Sequence, residues 1–233
     1  MKSIAQLLVQ HQAVKVNFQN PFTWVSGIRS PIYCDCRELI SIPEAREVIV
    51  EAFLEEIELL SSPLMGEDEG GGEKKSPLPS FPSHGGRGCV VAGTATAGIP
   101  WAAFVAQKLN LPMLYVRPKP KEHGAGKMVE GKCEKNKNIL VVEDALSTAG
   151  SSVRSAEALR SELNATVTDI LAIFSWDTPQ AGVNAEKAKL NLHPLTKFDE
   201  IAECLLEMGK ITEEEKESLE RFHKDPAGWY GNV

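Results

Sequence analysis

The sequence predicts an α/β fold with a central, mostly parallel sheet flanked by helices. Three observations predict it. Short apolar runs without alternation recur at residues 89–92, 113–116, 139–142 and 168–176, as strands buried on both faces require. Between them lie stretches with apolar residues at helical spacing, the order that builds parallel sheets. Two runs lead directly into turns of small and hydroxyl residues, GTATAGIP and DALSTAGSS, each opening a helix.

In chain order, Ile4, Leu7 and Leu8 fit one face of a short helix ending near Val14. Residues 22–35, FTWVSGIRSPIYCD, are punctuated by Gly27 and Pro31, and read as a hairpin or small N-terminal hood standing off the sheet. Arg29 and Tyr33 can face a ligand from it. Residues 1–42 thus form a helix and hood, and residues 43–60 and 89–233 a core. PEAREVIVEAFLEEIELL, 43–60, is a long helix with Pro at its first turn and Val48, Phe53, Ile57 and Leu60 available to the core. Residues 61–88 turn abruptly to Gly, Pro, Ser and mixed charge; they cannot bury enough surface to offset their ordering entropy and read as a disordered loop insertion. After the strand at 139–142, helices are expected over 151–163, 197–206 and 212–222, the last with a Thr212/Glu215 capping box, and an edge strand over 190–195.

Composition bounds the function. With 233 residues and 42% apolar side chains the chain can bury a sizeable core, and a net charge of -7 argues against nucleic acid as a partner. The five cysteines are scattered, and Cys34 and Cys36 are too close for a zinc half-site, so they read as reduced thiols of a cytoplasmic protein. The N-terminus, MKSIAQLLVQHQ, suggests neither a signal peptide nor a membrane span.

The chemistry concentrates at strand ends. ILVVEDALSTAGSS sets Glu143 and Asp144 at the carboxyl end of a strand, where ligands bind in open α/β sheets, and carboxylates there can accept hydrogen bonds from ribose hydroxyls. The small residues after them open a helix whose amide groups and dipole favour a phosphate. An ordinary capped strand-turn-helix is the competing reading. Gly93 and Gly98 bracket a second anion cradle. Between strands, RPKPKEHGAGKMVEG alternates Arg117, Lys119, Lys121, His123 and Lys127 with Gly and Pro, as a lid closing on a polyanion does. GAGKM is not a Walker A loop, because Lys121 stands where Gly is needed and Met128 where Ser or Thr is needed.

ILVVEDALSTAGSS resembles the phosphoribosyl pyrophosphate (PRPP) motif of type I phosphoribosyltransferases. FTWVSGIRSPIYCD, VVAGTATAGIPWAA, YVRPKPKEHGAGKMVEG and the tail DPAGWYGNV resemble segments of the orotate phosphoribosyltransferases, so the likeness covers nearly the whole chain outside 61–88. The resemblance implies the type I phosphoribosyltransferase fold and transfer of phosphoribosyl from PRPP to N1 of orotate. It implies that Glu143 and Asp144 hold the ribose hydroxyls, and that Ala145, Leu146, Ser147, Thr148, Ala149, Gly150 and Ser151 bind the 5-phosphate, Ser147 also reaching orotate. Thr94, Ala95, Thr96, Ala97 and Gly98 would lie along the pyrophosphate. Arg117, Lys121 and His123 would act catalytically on PRPP in the partner subunit of a homodimer, with Mg²⁺ carried by the diphosphate rather than by a protein ligand.

The chain also departs from the pattern. Some members carry Lys where this chain has Val25, Ala97 and Pro118, and an Arg after the strand that here ends at Trp176. The orotate carboxylate therefore needs another partner, for which Arg29 is the candidate, with Tyr33 beside it. A phosphoribosyltransferase for another base and a PRPP-sensing regulator without turnover are the rival functions.

Overall fold

Seven residues, IAQLLVQ, form helix α1 (Ile4–Gln10), started by a capping box in which Ser3 and Gln6 each accept from the other's backbone N–H. The structure, a computed structural model, describes residues 3–24, 27–61, 89–120 and 126–232. The insertion read at 61–88 therefore lies outside the described residues beyond Ser61. The expected end of the first helix near Val14 is corrected. Gln12 takes a positive φ of 58°, the chain turns, and Val14 opens strand β1 (Val14–Val16).

Strands β2 (Phe22–Thr23) and β3 (Arg29–Ser30) pair antiparallel, while β4 (Ile32–Cys34) returns antiparallel to β1. Gly27, at φ 86°, supplies the left-handed turn of the hairpin. A 3₁₀ turn over Cys36–Ser41 leads to α2 (Pro43–Ser61). Its buried stripe is Ala45, Ile49, Phe53 and Ile57, spaced by four, and Val48 is 39% exposed. That corrects the expectation for Val48, which lies one position off the stripe.

Strand β5 (Cys89–Thr94) is followed by α3 (Gly98–Leu109), β6 (Met113–Val116) and β7 (Val129–Glu130). Then come β8 (Asn138–Leu146), α4 (Gly150–Leu163), β9 (Asp169–Ser175), α5 (Pro179–Ala188), β10 (Asn191–Lys197), α6 (Phe198–Glu207) and α7 (Glu213–Lys224). The six-stranded sheet has the order β10-β9-β8-β5-β6-β7. Strand β5 pairs parallel with β6 and β8, and β7 closes its edge antiparallel to β6. Every residue of β5 and of β9 is buried, as unalternating apolar strands covered by helices must be. Besides β1 and the 3₁₀ turn, β7 and α5 also go unread in the sequence. A further difference is that β8 runs on through Leu146, so Glu143 and Asp144 belong to the strand rather than following it.

The described residues form two compact units. One is drawn from Met1–Ile49, Asp144–Gly150 and Ala172–Val233, the other from Val50–Glu143 and Ser151–Leu171. In the first, Leu8, Ile32, Leu39, Phe174, Phe198 and Phe222 are buried almost completely; in the second, Phe53, Val91, Trp101, Leu114, Ile139 and Val141 are. Each such side chain contributes about 1.5–3 kcal/mol relative to exposure. Among the described residues, no helix is long and apolar enough to cross a membrane.

Candidate active site

In the second unit the site residues gather where β5 and β8 end. After Thr94 the Ala95–Thr96 peptide is cis, and α3 begins at Gly98. A Cβ on Gly98 would stand 2.5 Å from the Val142 carbonyl oxygen and 3.2 Å from the Glu143 Cα. Only glycine lets the start of α3 lie this close to β8. Thr94 Oγ1 is 3.1 Å from Ser155 Oγ on α4, and both residues are buried. Glu143 is 4% exposed, and its Oε2 accepts from Ser151 Oγ at 3.1 Å and Ser152 Oγ at 3.3 Å. Its carboxylate thus sits over the first turn of α4, where the helix dipole favours negative charge.

At the end of β6, the Arg117 N–H donates to the Met128 carbonyl at 3.0 Å, and its guanidinium pairs with Glu130 at 3.5 Å. Glu162, near the end of α4, accepts from the Met128 and Val129 N–H groups at 2.8 and 3.3 Å. Lys121 and His123 lie outside the described residues.

The first unit holds the other predicted residues. Asp144 and Ala145 are half-buried at the end of β8, and Leu146 is buried. Ser147 and Thr148 are exposed, Ala149 is buried with φ 56°, and Gly150 starts α4. Two residues of α5 or its cap reach this turn. Thr178 Oγ1 donates to the Ser147 carbonyl and Asn184 Nδ2 to the Thr148 carbonyl, each at 2.8 Å.

In the hood, the Tyr33 hydroxyl accepts from Arg37 Nη2 at 3.3 Å, and the Tyr33 and Phe22 rings lie 5.7 Å apart. Arg37 also grips both Asp35 oxygens, at 2.6 and 2.5 Å, and these hydrogen bonds hold the Asp35 carboxyl below the usual carboxylate range. The Arg29 guanidinium lies 4.7 Å over the Tyr230 ring, and its buried Nε has no hydrogen-bond partner among the described residues. Val25 and Ser26 fall outside the described residues.

Sequence reasoning misses Thr178, Asn184, Glu162 and Tyr230. For Thr178 a signal existed: Thr followed by Pro is an N-cap and first-turn pair, and Thr178 accepts from the Ala181 N–H as a cap does.

A family model described as a phosphoribosyl transferase domain matches residues 83–196. It runs from before β5 into β10 and leaves out the hood. The orotate phosphoribosyltransferase of Coxiella burnetii is 44% identical over 226 residues, 97% of this chain and 96% of its own length. The chain belongs to the orotate phosphoribosyltransferase family. A member from Listeria monocytogenes serotype 4b is 39% identical over 98% of this chain and 97% of its own. The crystal structure of the Aeropyrum pernix family member aligns with a TM-score of 0.66 at 28% identity, covering 90% of this chain and 99% of that one.

Proposed function

We propose that this chain transfers the phosphoribosyl group of PRPP to N1 of orotate, giving orotidine 5'-monophosphate and pyrophosphate, within de novo pyrimidine biosynthesis. One observation carries the reading. The likeness to orotate phosphoribosyltransferases spans 97% of the chain and so extends well beyond residues 83–196, where the general phosphoribosyl transferase domain stops short of the hood.

In the reaction the C1'–O bond to pyrophosphate breaks, its electron pair leaves on the pyrophosphate, and N1 of orotate supplies the pair for the new bond as its proton is lost. The sugar becomes cationic in passing and the leaving group strongly anionic. Glu143 and Asp144 are assigned to the ribose hydroxyls, the backbone of residues 145–151 to the 5-phosphate, and Thr94, Ala95, Thr96, Ala97 and Gly98 to the pyrophosphate. Glu143, which accepts from Ser151 and Ser152, is buried, and Asp144 is half-buried. Arg117, Lys121 and His123 neutralise charge on the leaving group and help exclude water. PRPP enters as its magnesium complex, with the ion on the diphosphate. Orotate sits against the hood, with Arg29 on its carboxylate and Tyr33 and Ser147 near the ring. The enzyme works as a cytoplasmic homodimer in which Arg117, Lys121 and His123 serve the partner subunit's PRPP.

The test is an assay of the purified protein with PRPP, Mg²⁺ and a panel of nucleobases. Loss of orotate absorbance with release of pyrophosphate supports the reading. Turnover of a different base alone, or PRPP binding without turnover of any base, overturns it in favour of a phosphoribosyltransferase of other specificity or a PRPP sensor.

A further inference from the structure

The turn between β8 and α4 has three residues, Ser147, Thr148 and Ala149, and two of its three carbonyls are engaged by one neighbouring helix. Thr178 Oγ1 takes the Ser147 carbonyl and Asn184 Nδ2 the Thr148 carbonyl. Both donors are oriented in turn. The Thr178 hydroxyl accepts from the Ala181 N–H as the N-cap of α5, so its proton is directed to Ser147. Gln180 Nε2 donates to Asn184 Oδ1 at 2.8 Å, which fixes the Asn184 amide with its nitrogen toward Thr148.

The consequence follows from peptide geometry. The bonds joining Ser147 to Thr148 and Thr148 to Ala149 are trans, so each N–H points opposite to its carbonyl. Drawing both carbonyls to α5 turns the Thr148 and Ala149 N–H groups away from it. Converging N–H groups bind a phosphate, whereas a carbonyl rotated among them repels it. Ala149, at φ 56°, shows the backbone held where an alanine costs about 1–2 kcal/mol. Such a turn needs outside restraint.

We propose that Thr178 and Asn184 are positioning residues for 5-phosphate binding: they touch no substrate but hold the peptide planes of the phosphate turn. This rests on the assignment of residues 145–151 to the 5-phosphate. Calorimetry on the full-length protein tests it, with ribose 5-phosphate and magnesium pyrophosphate as separate probes. Thr178→Val and Asn184→Ala each weaken ribose 5-phosphate about three- to tenfold, the effect of losing one ordinary hydrogen bond. Pyrophosphate affinity stays within about twofold of the parent. Thr178→Ser, which keeps the hydroxyl, restores ribose 5-phosphate binding. Asn184→Ala leaves the α5 cap intact, so it separates holding the turn from merely capping the helix. Unchanged ribose 5-phosphate affinity in Asn184→Ala, or equal loss for both probes, overturns the proposal. Absence of ribose 5-phosphate binding by the parent protein defeats the underlying assignment instead, and the proposal with it.

Discussion

Arg29 combines two features that rarely meet: its guanidinium is stacked on an aromatic ring, and its buried Nε has no acceptor among the described residues. A buried donor left unsatisfied costs about 1–3 kcal/mol, so an arriving carboxylate recovers that cost as well as forming a charge-assisted bond. Arg29→Ala should raise the orotate KM about tenfold or more while kcat moves far less. Steady-state kinetics at saturating PRPP checks this, and an unchanged orotate KM removes Arg29 from the site. Lys121 is expected to act differently. A cation that meets the pyrophosphate only as the site closes favours the transition state over the ground state, so Lys121→Ala should lower kcat about 10²-fold or more. Single-turnover measurements showing less than a tenfold loss would count against that role. Both residues stand out in the sequence by type and setting. What the sequence hides is the setting of Arg29: Tyr230 lies about two hundred positions beyond it, and no local pattern announces that the two stack.

Among the elements, the strongly patterned ones are legible and the weakly patterned ones are not. Strands β5, β8 and β9 are apolar runs, and α7 carries the predicted box, with Thr212 accepting from the Glu215 N–H and Glu215 from the Thr212 N–H. Thr212→Ala should therefore cost about 0.5–2 kcal/mol, read as a lower urea midpoint with an unchanged slope. In contrast, α5 buries only Ala181 and Ala185 in its helical stretch and carries Gly182 between them. With two small buried residues its periodicity is faint, although its two hydrogen bonds to the turn at residues 147–149 are definite. Strand β7, two residues long, is set by pairing with β6 rather than by its own composition. Strand β5 carries a different consequence. Burial pushes the Cys89 thiol from 9.0 up to about 12, so the folded state keeps its proton over a range where the unfolded chain has lost it. That contribution to stability is complete below the unfolded pKa of 9.0 and is lost as pH climbs toward 12. Cys89→Ser should flatten the fall in urea midpoint between about pH 8 and about pH 10; an equal slope in parent and variant refutes it.

For the molecule as a whole, the strand order is less legible than the strand positions. Neighbours β5 and β8 are separated by β6 and β7 in the chain, and nothing local to either strand records that β8 lies beside β5. What the sequence does carry is the make-up of the strand ends, because the turn at residues 93–98 and the pair Glu143 and Asp144 with its following turn are contiguous motifs. The sheet order has one further consequence, for behaviour at high concentration. Its two margins are β7 and β10, and a long, regular margin offers unpaired amides on which a second molecule can add a strand. One margin is two residues long, and the other contains Pro194, which has no N–H to offer, and ends at Lys197, a charge that resists stacking against its own copy. Short, proline-bearing borders of this kind work against edge-to-edge strand addition, and on the β7 side the same border also carries Glu130, the partner of Arg117.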